Sequence, residues 1–433
     1  MFLPMYIKFI NKYIGQYIMK RERLEEFNGW WFTGKVPDEL SQEYRRALFY
    51  ELAANLPKRP ILSIVGLRRT GKTTLMFQLM QNLLEQKTPK DNILYFNFDE
   101  YAEGIDELLD SYRETQNKDF RADRTYVFLD EIQKVNDWAN QIKKYHDLYP
   151  KIKFVVSGSE SLFIAAKAKE TLAGRLREFV LKPLSFKEFL EIKGLQPHLP
   201  VARLKALFIE YVENGGFPEM AGKQKTEVKE YVKSVVLDKI VFKDIVKLFG
   251  VKDTDTLRQL IEIIATNPGM YIEYQSLAQQ LGKDRRSIKN YVMLLKESFI
   301  IRILGNYRKG AVPSLRKTKR VYPVDSSIIF AFKPVIDDQF MGRVVETAVI
   351  NHLDAYTFWR NSHEVDAVLN GVPIEVKYQN KIIDKDLSGL REFMRKFSAR
   401  RGVMVTKSEE GKVKTGEGEI VMTPAWKFLL NPP

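Results

Sequence analysis

A glycine-rich segment is the clearest candidate for chemistry in this sequence. Gly66, Gly71, Lys72 and Thr73 have the spacing G-x-x-x-x-G-K-[ST], directly after the apolar run 61–65 and before a helical pattern. In such a loop, backbone N–H groups and a helix N-terminus bind phosphate, the lysine reaches the β- and γ-phosphates, and the hydroxyl ligates Mg²⁺. The spacing therefore predicts a site for a nucleoside triphosphate. The predicted nucleotide-binding residues are Gly66, Arg68, Arg69, Thr70, Gly71, Lys72, Thr73 and Thr74, with Lys72 also catalytic.

Two apolar runs end in an Asp-Glu pair, and either pair could supply the acidic groups of a phosphate site. The first pair is Asp99 with Glu100, and the second is Asp130 with Glu131. The run 126–129 before the second pair is continuously apolar, as in a strand buried on both faces, so we choose that pair. Thr73 and Asp130 are then the predicted Mg²⁺ ligands, and Glu131 polarises the attacking water. No Asn-Lys-x-Asp motif occurs, which favours ATP over GTP.

Polar residues on the following runs could contact the transferred phosphate. Ser157 or Ser159 could sense the γ-phosphate, and Ser159 is also counted among the nucleotide-binding residues; an ordinary loop serine is the alternative. Arg175, or Arg177 beside it, could act as an arginine finger in the same subunit or in a neighbour. A surface arginine is the alternative for each. An arginine acting on a neighbour would require a homo-oligomer, which we therefore predict.

Carboxylates and a lysine recur near the C-terminus. Asp366 precedes a turn signal, and Glu375 and Lys377 follow it on one face of a strand, because strand side chains alternate with a period of two. Glu346 belongs to a preceding helical pattern, 342–353. Carboxylates can hold Mg²⁺ while a lysine orients water or offsets phosphate charge. Glu346, Asp366 and Glu375 are thus predicted metal ligands, and Asp366, Glu375 and Lys377 predicted nuclease residues. A plain Lys377–Glu375 pair without metal is the alternative.

The net charge of +14 favours a polyanionic partner, although a basic surface without such a partner is the alternative. Residues 283–320 contain twelve basic and two acidic residues. Two helical patterns, 274–281 and 285–298, are followed by two β-like runs around a basic loop, which is typical of a winged helix with a wing over 308–320. Subunit contact is the alternative use of such a domain. The predicted DNA contacts are Lys283, Arg285, Arg286, Lys289, Arg308, Lys309, Arg316 and Lys317.

Composition excludes several classes of site. The chain has no cysteine, which excludes disulfides, thiolate zinc sites and cysteine nucleophiles, and its four histidines make a His-rich metal site improbable. No apolar run approaches the length that spans a bilayer, and Met1–Arg23 lacks the pattern of a signal peptide. We therefore expect a cytoplasmic protein without a membrane partner. Residues 1–18 suggest no function.

The order of apolar runs predicts the architecture. Between 60 and 185, short β-like runs alternate with helical patterns, as in a parallel α/β sheet. These runs are 61–65, 93–98, 126–129, 154–156 and 179–181. The predicted divisions are an N-terminal extension over 1–35, a P-loop ATPase domain over 36–195, a helical lid or linker over 196–250, a winged helix over 251–330 and an α/β nuclease-like domain over 331–433.

Taken together, the motifs resemble the archaeal and bacterial AAA-type ATPases that carry a C-terminal restriction-endonuclease-like domain of the PD-(D/E)XK kind. The segments that carry the resemblance are 66–73, 129–133 with Trp138, 157–159, 172–175, 181–190, 215–219, 364–366 and 374–377. The resemblance implies an ASCE-type P-loop core, a winged helix and a nuclease-like domain, although Val365 stands where that motif usually has proline. The leading hypothesis is an ATP-hydrolysing, DNA-binding protein of DNA processing or repair. The alternatives are an ATP-gated DNA-binding regulator with an inactive nuclease fold, and a signalling ATPase that binds protein. Protein partners are not predicted.

Overall fold

The computed structural model describes residues 21–99, 104–158, 170–196, 198–308 and 318–431. The chain divides into two compact units, Met1–Gly66 with Gly71–Lys182 and Leu67–Thr70 with Pro183–Pro433. Among the described residues, no helix combines the length and the apolar character needed to cross a membrane.

A parallel sheet of five strands forms the centre of the first unit. Its strands are β1 Ile61–Val65, β2 Ile93–Asn97, β3 Thr125–Asp130, β4 Ile152–Gly158 and β5 Leu176–Val180, in the order β2-β3-β4-β1-β5. The predicted parallel α/β sheet is therefore confirmed. The sequence pattern missed the first half of β5, because β5 is an edge strand and its residues Arg177 and Glu178 are exposed.

Helices cover this sheet, and residues of the first helix and just before it protect one of its edges. The helices are α1 Trp30–Thr33, α2 Asp38–Ser41, α3 Ala47–Asn55, α4 Lys72–Glu85, α5 Ile105–Thr115 and α6 Trp138–Leu148. The indole N–H groups of Trp30 and Trp31 donate to the carbonyl of Ile93 at 3.2 and 2.8 Å. The Asn28 amide bonds to the backbone N–H and C=O of Tyr95. Since β2 is an edge strand, these bonds satisfy backbone groups that no neighbouring strand pairs.

The second unit begins with helices. They are α7 Phe186–Ile192, α8 Val201–Asn214, α9 Lys225–Glu230, α10 Val246–Phe249, α11 Thr254–Thr266, α12 Tyr274–Gln280, α13 Arg285–Glu297 and α14 Ser326–Phe332. Between α9 and α10, Tyr231–Leu237 and Lys239–Ile245 have π-helical hydrogen bonding. Ile288, Val292 and Leu295 of α13 are buried, as their spacing predicts.

Two sheets complete this unit. The first has strands β6 Met270–Tyr271, β7 Ile301–Asn306, β8 Lys319–Pro323, β9 Thr357–Arg360 and β10 Glu364–Val365, in the order β10-β9-β7-β8-β6. The second has β11 Ala367–Leu369, β12 Val372–Lys377, β13 Arg401–Thr406, β14 Gly411–Lys414 and β15 Glu419–Pro424, in the order β11-β12-β13-β15-β14. The remaining helices are α15 Asp338–Leu353, α16 Ser388–Phe397 and α17 Ala425–Leu430.

The predicted hairpin is present in the last sheet. Strands β11 and β12 pair antiparallel, with Leu369 opposite Val372 across the two-residue turn. Asp366 lies between β10 and β11, at the point where the chain leaves one sheet and enters the next. A residue at such a junction can contact side chains of both sheets.

Candidate nucleotide site and acidic cluster

The glycines of the phosphate loop adopt backbone conformations that other residues avoid. Gly66 has φ +152°, and a Cβ at this position would lie 2.2 Å from the backbone oxygen of Leu181. Gly71 has φ +96° and directly precedes α4. Only glycine adopts such conformations at low cost. The loop therefore ends at the N-terminus of a 14-residue helix, whose first N–H groups can bind an anion.

Lys72 and Thr73 lie in the first turn of α4 and point to different partners. The Lys72 side chain is buried, and its Nζ donates to the Gly66 carbonyl at 3.0 Å. The Thr73 hydroxyl donates to Asp130 Oδ2 at 2.6 Å. The structure thus brings together the hydroxyl and the carboxylate predicted to ligate Mg²⁺. Two oxygen ligands beside a helix N-terminus suit a hard cation carried by a phosphate.

Asp130 is the centre of a buried hydroxyl network at the carboxyl ends of the strands. Besides Thr73, it accepts from Tyr95 Oη at 3.2 Å, from the Ser157 hydroxyl, and from the Glu131 N–H at 3.0 Å. Ser157 reaches Asp130 because β4 lies between β1 and β3. Burial, together with the charge of Asp130, raises the pKa of Tyr95 well above its usual value, so Tyr95 remains a neutral donor. Ser157 was considered only as a phosphate contact, and Tyr95 was missed because nothing in its sequence context marks it.

Glu131 directly follows β3 in a left-handed backbone conformation with φ +52°. Its Oε2 accepts from Gln133 Nε2 at 2.5 Å. The other acidic pair lies after β2, where Asp99 binds Lys134 Nζ at 2.8 Å. The choice between the two pairs agrees with the geometry, since Asp130 and not Asp99 contacts Thr73. The water-polarising role of Glu131 remains a prediction.

The middle of the loop belongs to the second unit and has acidic partners there. Arg68 Nη1 lies 2.9 Å from Asp244 Oδ2, and the Asp244 side chain is almost fully buried. Arg69 Nη1 lies 3.2 Å from Glu219 Oε1. The Thr70 hydroxyl donates to the Leu67 carbonyl. Contact of either arginine with phosphate would therefore require exchange of an ion pair. Ser159 lies outside the described residues, so its predicted role is not addressed by the structure.

The two candidate arginine fingers lie at the wrong end of the sheet to act within the subunit. The Ile61 N–H donates to the Arg175 carbonyl at 2.7 Å, so Arg175 is beside the start of β1, whereas the phosphate loop follows its end. At about 3.3 Å per residue, β1 separates them by about 13 Å. Arg175 binds both oxygens of Asp147, and Arg177 binds Glu51. The prediction of an arginine finger within the same subunit is therefore wrong.

Near the C-terminus, the predicted metal ligands surround an arginine. Arg320 of β8 is buried; its Nη1 lies 2.9 Å from Asp366 Oδ1 and 2.9 Å from Glu364 Oε1, and its Nη2 lies 2.7 Å from Glu346 Oε1. Arg320 Nε donates to the Gly269 carbonyl at 2.9 Å. We call Glu346, Glu364, Asp366 and Glu375 the acidic cluster. Arg320, the last residue of the predicted wing over 308–320, is not available to DNA, because its guanidinium is buried among these carboxylates.

Glu375 completes the acidic cluster with Lys377, whose Nζ lies 2.9 Å from Glu375 Oε1. The Asp366 N–H donates to Glu375 Oε2 at 3.3 Å, and the Val376 N–H donates to Asp366 Oδ2 at 2.9 Å. Burial and the charge of Asp366 raise the pKa of Glu346 to about 7 and raise the pKa of Glu375 well above its usual value. Two basic side chains, Arg320 and Lys377, therefore offset part of the negative charge of the cluster, and the raised pKa values favour protonation of Glu346 and Glu375.

These residues do not fit the predicted metal site. Asp366 and Glu346 each accept a hydrogen bond from Arg320 through one carboxylate oxygen, so a guanidinium lies where a cation would be expected. Within the described parts of the chain, no three Asp, Glu or His side chains are grouped so as to hold a metal ion. The sequence pattern did bring Glu346, Asp366, Glu375 and Lys377 together correctly. It missed the arginine, which is remote in sequence and lay in a segment that looked solvent-exposed.

The basic segment separates into paired and solvent-facing side chains. Arg285, Arg286 and Lys289 of α13 are exposed, and no described residue forms an ion pair or hydrogen bond with their side chains. In contrast, Lys283 Nζ lies 2.7 Å from Asp253, and Arg302 Nη1 lies 2.6 Å from Asp354. Arg308 is exposed after β7, whereas Lys309, Arg316 and Lys317 lie outside the described residues. The segment as a whole is therefore less available to a ligand than its charge suggests.

Several uncharacterized proteins are similar to this chain. One from Haemophilus influenzae is 29% identical over 272 residues, covering 61% of this chain and 67% of its own. Two from Methanocaldococcus jannaschii are 24% and 25% identical over 423 residues, covering 88% and 86% of this chain and 90% and 85% of their own. Among solved structures, Cdc6p from Pyrobaculum aerophilum matches 69% of this chain and 98% of its own at 15% identity, with a TM-score of 0.29. A TM-score this low does not establish a shared fold.

Family models divide the chain into three parts. Residues 205–339 and 341–428 match two models described as domains of unknown function, DUF8612 and DUF4143. Residues 58–190 match a model described as an AAA domain, and this range contains all five strands of the parallel sheet, the phosphate loop and Asp130. Residues 58–190 of the first unit are therefore similar to an AAA domain, and they contain a phosphate loop of the kind that P-loop ATPases have.

Proposed function

We propose that this protein hydrolyses ATP in a Mg²⁺-dependent reaction and that its second unit binds DNA. The observation that carries the first half is the 2.6 Å hydrogen bond from Thr73 to Asp130, formed at the N-terminus of α4 directly after the phosphate loop. This arrangement supports Thr73 and Asp130 as the residues that would hold Mg²⁺. Bound there, Mg²⁺ would neutralise charge on the phosphates.

The remaining residues of the site have distinct roles in this proposal. Lys72 leaves the Gly66 carbonyl to contact the β- and γ-phosphates, and the first N–H groups of α4 bind phosphate oxygens. The hydroxyls of Tyr95 and Ser157 hold Asp130 in position, since both donate to it. Glu131 orients the attacking water, for which its carboxylate must leave Gln133.

DNA binding is supported by the exposed side chains at the start of α13. Arg285, Arg286 and Lys289 lie within two turns of one helix face, and no described residue pairs with them. Burial, and the charges of Lys289 and Lys296, lower the pKa of Lys319, which indicates that positive charge accumulates near this helix. The order of helix, strand, two helices and two strands from α11 to β8 is compatible with a winged helix. We propose that α13 lies against the phosphate backbone of duplex DNA.

The proposal is tested by measuring ATP hydrolysis with and without DNA, using the wild type and Lys72→Ala. We expect hydrolysis to fall at least about 100-fold in Lys72→Ala, because the phosphates lose their main basic contact. DNA binding should persist in this variant, since Lys72 is far from α13 in sequence and belongs to the other unit. Hydrolysis without any DNA affinity at low salt would favour a signalling ATPase that binds protein.

One observation favours a second candidate, an ATP-gated DNA-binding regulator whose nuclease-like domain is inactive. The acidic cluster contains Arg320 where a nuclease would hold a metal ion. A guanidinium cannot activate water as a metal ion does. In this reading, Asp366, Glu375 and Lys377 keep the arrangement of a nuclease but do not cut DNA. We therefore expect no cleavage of linear, nicked or branched DNA with Mg²⁺ or Mn²⁺.

A further inference from the structure

Hydrogen-bond acceptors and an aromatic ring surround the guanidinium of Arg320. Its Nε, Nη1 and Nη2 atoms donate to Gly269, to Asp366 with Glu364, and to Glu346, so each nitrogen of the guanidinium has an acceptor. The guanidinium carbon lies 5.2 Å from the ring centroid of Tyr322. A planar cation that has an acceptor at each nitrogen and an aromatic ring beside it has little freedom to move.

The backbone places this side chain at the cluster. In β8, Arg320 is paired with Tyr271 of β6 on one side and with Leu304 of β7 on the other, so β8 has a neighbouring strand on both sides there. The hydroxyls of Tyr322 and Tyr271 donate to Glu346 and Glu364, so two further side chains of this sheet contact the same acids. These bonds join β8 to α15 and β6 to β10, while Arg320 contacts Asp366 at the junction before β11.

We propose that Arg320 is the resident counter-ion of the acidic cluster, that it takes the place of a divalent metal ion, and that the cluster joins two sheets instead of cutting DNA. The guanidinium lies within 2.9 Å of three carboxylates, and a metal ion within reach of Glu346 and Asp366 would meet it. Lys377 adds a second positive charge at Glu375. Two cations already present in a buried site oppose the entry of a third.

The proposal predicts that removal of the guanidinium exposes a metal site. In Arg320→Gln, the carboxylates of Glu346, Glu364 and Asp366 lose their common cation and repel one another. Oxygen-rich clusters of this kind bind divalent ions. The wild type should therefore have no divalent site at the cluster, whereas Arg320→Gln should gain one.

The test is Mn²⁺ binding, measured by titration calorimetry and by electron paramagnetic resonance on the full chain without nucleotide. Wild type and Asp366→Asn should bind Mn²⁺ alike, with any background from the first unit equal in both. Arg320→Gln should show an additional site that weakens about tenfold or more in Arg320→Gln/Asp366→Asn. Mn²⁺ should also raise the melting temperature of Arg320→Gln but not that of the wild type. Arg302→Gln, which removes another ion-paired arginine of the same sheet, is the matched control and should gain no site.

Two results would overturn the proposal. One is Mn²⁺ binding by the wild type that Asp366→Asn or Glu346→Gln removes, since Arg320 would then not exclude the ion. The other is a folded Arg320→Gln protein without an added site. If Arg320→Gln fails to fold, Mn²⁺ binding by the wild type is compared with binding by Asp366→Asn and Glu346→Gln. A loss of binding in either variant still contradicts the proposal, and equal binding in all three supports it. None of these measurements depends on ATP hydrolysis, so the ATPase proposal stands or fails separately.

Discussion

At the scale of single residues, Asp130 and Glu131 are neighbours with opposite surroundings. Asp130 is almost fully buried and accepts from three hydroxyls, which fixes its carboxylate. Glu131 is only partly buried and has Gln133 as a hydrogen-bond donor. A fixed carboxylate suits a metal ligand, whereas a partly exposed carboxylate held by an amide group suits contact with water.

Substitution of these two acids should separate binding from chemistry. Glu131→Gln keeps the shape of the side chain and removes its charge, so we expect ATP·Mg²⁺ affinity within a few-fold of wild type and turnover lowered about 100-fold or more. Asp130→Ala should instead weaken Mg²⁺-dependent ATP binding itself. Equilibrium binding of a fluorescent ATP analogue and single-turnover hydrolysis distinguish the two. Normal hydrolysis by Glu131→Gln would refute its assignment as the water-polarising group.

How far single residues can be predicted depends on how their contacts are distributed along the chain. The phosphate loop is continuous in sequence, so Gly66, Gly71 and Lys72 are recognisable from spacing alone. Tyr95 and Ser157 are 35 and 27 residues away from Asp130 in the sequence. No local sequence pattern predicts contacts over such separations. Arg320 shows the same limit, since Asp366 lies 46 positions away.

At the scale of elements, α13 has one apolar and one basic face. Asp284 begins the helix by accepting from the N–H groups of Arg286 and Ser287 at 2.9 and 3.0 Å. The buried face, with Ile288 and Val292, was predictable because helical periodicity is local. Which basic side chains face solvent was not predictable. A count of charges cannot distinguish a solvated lysine from one such as Lys283, which pairs with a carboxylate distant in sequence.

Reversal of charge on the exposed face tests whether α13 contacts DNA. We expect Arg285→Glu/Arg286→Glu/Lys289→Glu to weaken binding to all duplex sequences alike. The slope of log K against log salt should fall by about 3, since each lost phosphate contact removes about one counter-ion. Fluorescence anisotropy at several salt concentrations measures both quantities.

A matched control separates a local contact from the loss of net charge. Arg203→Glu/Lys205→Glu/Arg395→Glu changes the net charge equally at exposed positions of α8 and α16. This control should keep most of the affinity and nearly the full salt slope. Equal losses in the two triple variants would mean that overall charge, and not α13, attracts the DNA.

At the scale of the whole molecule, the sequence predicted which segments form strands but not the order of those strands in the sheet. Apolar runs predicted five strands, yet the placement of β4 between β1 and β3 depends on pairing between segments that are about 90 residues apart, such as Leu62 with Val155. The same order puts Arg175 beside the start of β1 and removes it from its own nucleotide site. An arginine that follows the site in sequence can thus lie at the opposite edge of the sheet.

This geometry leaves only one way for Arg175 or Arg177 to assist hydrolysis, which is through the site of a neighbouring copy. Arg175 is partly exposed and Arg177 is exposed, and each would have to exchange an acidic partner, Asp147 or Glu51, for phosphate. If such an assembly forms, the ATPase rate per subunit should rise with protein concentration and reach a plateau. Arg175→Ala or Arg177→Ala should lower that plateau about tenfold or more while leaving the rate at high dilution unchanged. The measurement is steady-state hydrolysis over a wide concentration range, with sedimentation velocity on the same samples. A constant rate per subunit in a protein that stays monomeric would exclude arginine action from a neighbour and leave hydrolysis to Lys72, Asp130 and Glu131 alone.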